Sequence, residues 1–151
     1  MGTLNLSSSV SLTPNNIFGP CFAAQAATAT SLSANTVTKI TLDSELFDTD
    51  GCFTSSRFTP TVAGYYQINA TVRADLSSQT ALHIYFYKNG SEYAIGNFTN
   101  TTSTQAATVG STLAYMNGST DYMELYCYSS VTGNAYAGYS TMFSAALIRP
   151  A

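Results

Sequence analysis

The chain has 151 residues, enough for one domain that buries about 70% of its unfolded surface without help from disulfides or metals. Only 9% of its residues are charged, against roughly 25% in an ordinary soluble domain, while 45% are hydrophobic and eleven are Tyr; disorder is excluded and β structure indicated. A net charge of −3 with no basic cluster excludes electrostatic binding of nucleic acid, and no apolar run approaches the ~20 residues of a membrane span.

Residues 1–20, MGTLNLSSSVSLTPNNIFGP, are polar, low in complexity and closed by Gly-Pro, which reads as an extended arm before a domain at 21–151. Leu4, Leu6, Val10, Leu12, Ile17 and Phe18 give this arm more apolar side chains than a spacer needs, without any periodicity. Such a segment becomes ordered by lying on a neighbour, so these six residues are the expected attachment points. Met1 is followed by neither a basic n-region nor an apolar h-region. Synthesis without secretion, in a cytoplasm, is the expectation.

A first strand begins at Cys21, with Phe22, Ala24 and Ala26 on one face. TVTKITL, carrying Val37, Ile40 and Leu42, is a second apolar segment. The FDTDG turn at 47–51 precedes short strands around Cys52–Phe53 and Arg57–Thr59. From Tyr66 to Asp75 the alternation is unbroken: Tyr66, Ile68, Ala70, Val72 and Ala74 on one face, polar residues on the other. Leu82, Ile84 and Phe86 alternate with His83, Tyr85 and Tyr87 before Asn89-Gly90, the dipeptide of a type I′ hairpin turn. Tyr93, Ile95 and Phe98 continue the return strand. After the polar stretch NTTSTQAA come a strand near 108–116, a turn at Asn117-Gly118, and a strand in which Met123, Leu125 and Cys127 alternate with Tyr122, Glu124, Tyr126 and Tyr128. Met142 to Ile148 closes the domain. Ten short strands with long crossings and no amphipathic helix predict an all-β jelly-roll sandwich.

Little in the chain resembles catalytic machinery. His83 is the single histidine, and no Ser-His-acid or Cys-His set assembles around it. Cys21, Cys52 and Cys127 are an odd set without CxxC spacing and are read as free thiols. Asp48, Asp50 and Gly51 open like a calcium loop, but Thr59 stands where the bidentate Glu would be, so they are read as a turn. No cofactor is expected.

Phe47-Asp48, Phe53, Arg57-Phe58, Gly64 and Tyr66 resemble the signature of the C1q-like domain, a relative of tumour necrosis factor. Three more pieces follow in register: Phe22-Ala23-Ala24, Asp121-x-Met123-x-Leu125, and the closing Thr141-x-Phe143-Ser144-Ala145-Ala146-Leu147-Ile148. Together they span residues 21–149. Ile68 and Ala145 replace a frequent Phe and Gly, and there is no Gly-x-y collagen stalk. SSRFTPTVAGYYQIN, YKNG and YMNGSTDYMELY are most similar to C1q-like modules of tailed-bacteriophage structural proteins.

The resemblance implies a homotrimer. It places the 66–75 strand in the inner sheet, with its polar face towards neighbouring subunits, so Tyr65, Gln67, Asn69, Thr71 and Arg73 become trimer-interface candidates. The alternative is that this face meets only water. The resemblance also pairs strand 82–87 with strand 122–128 in the outer sheet, which would gather His83, Tyr85, Tyr87, Tyr122, Tyr126 and Tyr128 on one face. Such rings suit recognition of a sugar or a protein, and equally suit an ordinary solvated strand. A calcium ion at the trimer axis is compatible with the family and unsupported by any residue here. Two functions follow: a trimeric capsid-decoration, cement or head-fibre protein on a virion surface, held to a capsid or other virion protein by the arm, or a receptor- or glycan-binding head directed at a host-surface glycan or protein.

Overall fold

The structure, a computed structural model, describes residues 19–79 and 81–151. Thirteen strands occur among them. They are β1 (Cys21–Ala26), β2 (Thr30–Leu32), β3 (Thr36–Lys39), β4 (Ser44–Asp48), β5 (Phe53–Thr54), β6 (Arg57–Phe58) and β7 (Ala63–Leu76). The second half has β8 (Ala81–Lys88), β9 (Ser91–Asn100), β10 (Gln105–Asn117), β11 (Met123–Ser129), β12 (Gly133–Ala135) and β13 (Gly138–Pro150). Residues 1–18, nearly all of the expected arm, lie outside the described residues.

Two antiparallel sheets face each other. In the first, β7 is flanked by β10 on one edge and by β13 and β12 on the other; β1 and β4 continue beyond β13, and β2 beyond β12. In the second, β11 lies between β8 and the short β3 and β6, with β9 and β5 outermost. This is the expected jelly-roll sandwich, with thirteen strands instead of ten because β2, β4 and β12 extend the first sheet.

The unbroken alternation along β7 has the cause that its sequence indicates. Tyr66, Ile68, Val72 and Ala74 are fully enclosed between the sheets, and Ala70 nearly so. An aromatic knot holds the sheets together at one end: the Phe22 ring stacks on Phe53 at 4.5 Å and Phe58 at 4.8 Å, and meets Phe143 edge-on at 5.3 Å. Asn89 and Gly90 both have positive φ, 54° and 79°, the backbone of a type I′ turn. Gly64 is a different case from the sharp turn that its position invites. It sits inside β7 between Met116 and Pro150, and a Cβ there would strike the Arg149 carbonyl, so close approach of β13 is what demands glycine.

Several expected positions differ. TVTKITL is a strand only to Lys39, and Val37 points outward while Ile40 and Leu42 are buried. Ile40 still donates its N–H to the Leu125 carbonyl, but Leu42 donates to the Ser56 hydroxyl, which ends the ladder. Tyr93, Ile95 and Phe98 lie on β9 as expected, but all three are exposed, because two register irregularities against β8 re-aim that strand. The turn expected at Asn117-Gly118 forms, and it leads from the first sheet to the second: the Asn117 side-chain oxygen accepts the N–H groups of Ser119, Thr120 and Asp121.

Candidate functional site

Two open faces carry the candidate residues. On the first sheet, Tyr65, Gln67, Asn69, Thr71 and Arg73 all point away from the core. Strand β10 sets Tyr115, Leu113, Ser111, Val109 and Ala107 directly beside them in the same order, and β13 adds Ala146, Ser144 and Met142 on the other side. The centre of this face is uncharged and holds two shallow depressions around Asn69 and Thr71. Its charges lie at the ends: Arg149 beside Tyr65 at one, and at the other Arg73 and Asp75, where the Arg73 guanidinium sits 4.5 Å over the Tyr136 ring and the Tyr136 hydroxyl donates to Asp75. At the Arg149 end Tyr65 meets Tyr115 edge-on at 5.6 Å.

The residues that the sequence reading missed lie on the neighbouring strands. Val109 is 61% exposed, Leu113 52% and Tyr115 42%, although all are in a regular strand of a packed domain. Strand β9 runs along the same corner of the sandwich, close enough that a Cβ on Gly110 would lie 2.7 Å from the Gly96 Cα, and it shows Tyr93, Ile95 and Phe98. Together β9 and β10 carry six large apolar side chains in the open, Val109, Leu113 and Tyr115 towards the first sheet's face and Ile95 and Phe98 beside Tyr85 and His83 of the second. Their signal was present: in TVGSTLAYMN, Val109, Leu113 and Tyr115 share one parity, but buried Ala106, Ala114 and Met116 occupy the other.

The second face is on β8 and β11, which pair as expected, with Tyr85 opposite Tyr126 and His83 opposite Tyr128. Its rings cover one another. Tyr87 stacks on Tyr126 at 4.1 Å, His83 stacks on Tyr128 at 5.2 Å, and Phe98 meets His83 edge-on at 4.2 Å. All six named residues are half-buried. Burial lowers the His83 pKa, so the imidazole is neutral at pH 7.

Tyr122 stands apart at the start of β11, its ring 3.8 Å beneath the Arg57 guanidinium. Arg57 Nε and Lys39 Nζ both donate to Glu124 Oε1, at 3.0 and 2.7 Å, and Glu124 is 3% exposed. Burial by itself raises the Glu124 pKa; the two cationic donors more than reverse this and hold the carboxyl below its usual range. This cluster joins β3, β6 and β11 from positions as much as 85 residues apart, a separation at which no sequence pattern speaks.

The residues read as turn-formers and thiols have definite partners. Asp48 accepts the N–H groups of Cys52 at 3.0 Å and Phe53 at 2.8 Å, one on each carboxylate oxygen, which closes the FDTDG turn. Asp121 has a comparable role: it accepts from Asn89 Nδ2 at 2.8 Å and pairs with Lys88 Nζ at 2.8 Å, tying the hairpin to the loop before β11. Cys52 and Cys127 are buried and Cys21 half-buried, none in a disulfide. Burial pushes the Cys127 thiol up to about 12.

No protein-family model matches the chain, and a search of curated proteins finds no match. Solved structures do match. The chain is similar to murine APRIL, with a TM-score of 0.67 and 8% identity over 86% of this chain and 99% of that one. It is also similar to the globular domain of zebrafish complement 1qA protein, with a TM-score of 0.66 and 12% identity over 88% and 99% of the two chains. Eiger TNF from S. frugiperda aligns over 89% of this chain and 94% of its own, with a TM-score of 0.61 and 8% identity. At such identities the likeness establishes the fold alone: a jelly roll of the C1q and tumour-necrosis-factor type, which the order of the motifs implied.

Proposed function

We propose that this chain is a non-enzymatic structural protein of a tailed-phage virion, assembled as a homotrimer that decorates or cements the capsid or forms a head fibre. The observation that carries the assembly is the apolar corner of β9 and β10, where Tyr93, Ile95, Phe98, Val109, Leu113 and Tyr115 are all exposed. Continuous with it is an uncharged face built around Asn69, Ser111 and Ser144. A head-to-tail contact that joins β9 and β10 of one copy to the β7–β13 side of the next closes a ring after three copies. Exposed apolar surface of this extent is what a partner covers.

The phage assignment rests on the resemblance of SSRFTPTVAGYYQIN, YKNG and YMNGSTDYMELY to C1q-like modules of phage structural proteins. The apolar arm supplies the link to a capsid or other virion protein. Imaging of the native particle tests this: threefold density of C1q-like heads on the virion surface is the expected result. A particle without them, or the protein recovered only away from virions, overturns it.

The second reading is a head that recognises a host glycan or protein through the β8–β11 face, favoured by the number of aromatic rings there. Mutual stacking of Tyr87 on Tyr126 and His83 on Tyr128 counts against it, because a sugar stacks on an open ring face. Binding of glycans by the wild type that is lost on replacing Tyr85 and Tyr126 with Ser would restore this reading.

A further inference from the structure

Beyond the uncharged centre of the first sheet's open face, β12 takes the place of β13 beside the end of β7, with β2 outside it. Asn134 stands directly opposite Asp75 there, and Ser31 opposite Asn134. Asp75, Asn134, Tyr136 and Ala29 line a cavity of about 250 Å³. At ~3.3 Å per residue, Asp75 lies about 20 Å along β7 from Asn69, clear of the middle of the face.

Bonds on every side fix the walls of this cavity. The Asp43 carboxylate accepts the N–H groups of Ala27 and Thr28 and the Thr28 hydroxyl, which holds the loop carrying Ala29. The Tyr136 N–H donates to the Arg73 carbonyl at 2.7 Å, its hydroxyl donates to Asp75, and the Arg73 guanidinium covers one side of its ring. Arg73 does not line the cavity, so the ring turns towards it the side that Arg73 leaves open. Two polar atoms remain. Tyr136 occupies Asp75 Oδ2, and the Ser31 hydroxyl donates to Asn134 Oδ1 at 3.2 Å. Asp75 Oδ1 and Asn134 Nδ2 have no partner among the described residues.

We propose that this cavity binds one pyranose unit of a carbohydrate, with two neighbouring hydroxyls on Asp75 and Asn134 and the sugar ring against Tyr136. A carboxylate acceptor beside an amide donor matches adjacent hydroxyls, one donating and one accepting. The open side of an aromatic ring suits the C–H surface of the sugar that bears them. A few placed polar groups in a mostly apolar cleft are the usual makeup of a small-molecule site. Arg73 balances the charge of Asp75 at short range, so an uncharged ligand is favoured over an ion. The site is separate from the β8–β11 face, and it depends on neither the trimer nor the phage assignment.

Saturation-transfer NMR on the full chain, with the methyl pyranosides of glucose, galactose and mannose as probes, tests this. The expected result is transfer to the ring protons of at least one of them, with a Kd on the order of 1 mM, as suits so small a ligand. Asp75→Asn and Asn134→Ala should each weaken that binding about tenfold or more while the circular dichroism stays unchanged. Replacing Tyr85 and Tyr126 with Ser should leave it as it was. No transfer to any of the three probes, or transfer that survives both cavity variants, overturns the proposal. Loss of transfer in the Tyr85→Ser, Tyr126→Ser variant also overturns it, since the sugar would then lie on the β8–β11 face. Transfer to tetramethylammonium in preference to every pyranoside would overturn it as well and give the cavity to a cation.

Discussion

Tyr65 and Tyr66 are adjacent, chemically identical and placed oppositely, so replacing each with Ala isolates the effect of strand phase. Tyr66 is fully buried, packs edge-on to Phe58 at 5.3 Å, and donates its hydroxyl to the Val62 carbonyl at 2.7 Å. Removing a buried aromatic costs ~3–5 kcal/mol through lost transfer energy and the cavity left behind. The hydroxyl's bond adds about 1 kcal/mol, and Tyr66→Phe measures that part separately. A loss of ~4 kcal/mol is a large share of the 5–15 kcal/mol that holds a typical domain. For a chain of this length it lowers Tm by roughly 8–16 °C. Tyr65 is 46% exposed and loses only its contact with Tyr115, so Tyr65→Ala should cost less than about 1 kcal/mol in the monomer. Thermal unfolding followed by circular dichroism, at a concentration where the assembly state is known, compares the two. Equal melting temperatures would refute the assignment of faces along β7, and with it the placement of the candidate interface.

Further outcomes follow from other positions. Val109→Asp, on the exposed corner, should leave the fold intact and shift the protein from trimer to monomer in light scattering. Gly64→Ala should destabilise by about 1–3 kcal/mol in urea unfolding, because the new methyl must displace the β13 backbone at Arg149. The folded pKa of Glu124 lies below its unfolded value of about 4.3, so this carboxylate contributes stability above that pH and loses it as pH falls through the folded value. The stability gap between wild type and Glu124→Gln should therefore be widest near neutrality and narrow steadily below about pH 4. Thiol titration should label half-buried Cys21 before buried Cys52 and Cys127, and strong reductant should leave Tm unchanged. Deleting residues 1–20 should leave a folded trimer that no longer attaches to its particle; unchanged occupancy would make the arm a spacer.

The sequence was most legible where one residue pair or one period decides the backbone. Asn89-Gly90 permitted one turn, and the alternation from Tyr66 to Asp75 permitted one strand with one dry face. Periodicity tells which residues share a face and is silent on which face is covered. Hence Val37 was grouped with buried Ile40, and the exposed Tyr93, Ile95 and Phe98 passed as an ordinary return strand. Bulges between β8 and β9 shift the parity in mid-strand, and no residue type announces them. The aromatic face was located correctly but its packing was not visible: pairing places Tyr85 opposite Tyr126, yet the stack that forms is the diagonal Tyr87 on Tyr126. Glu124 looked like an exposed alternating residue, and only the fold brings Lys39 and Arg57 to cover it.

Light scattering coupled to size exclusion, on the full chain at micromolar concentration, tests the central claim of self-assembly through the exposed corner most directly. The account predicts a single species of three times the 16.0 kDa chain mass. A stable, folded 16.0 kDa monomer under those conditions would contradict it.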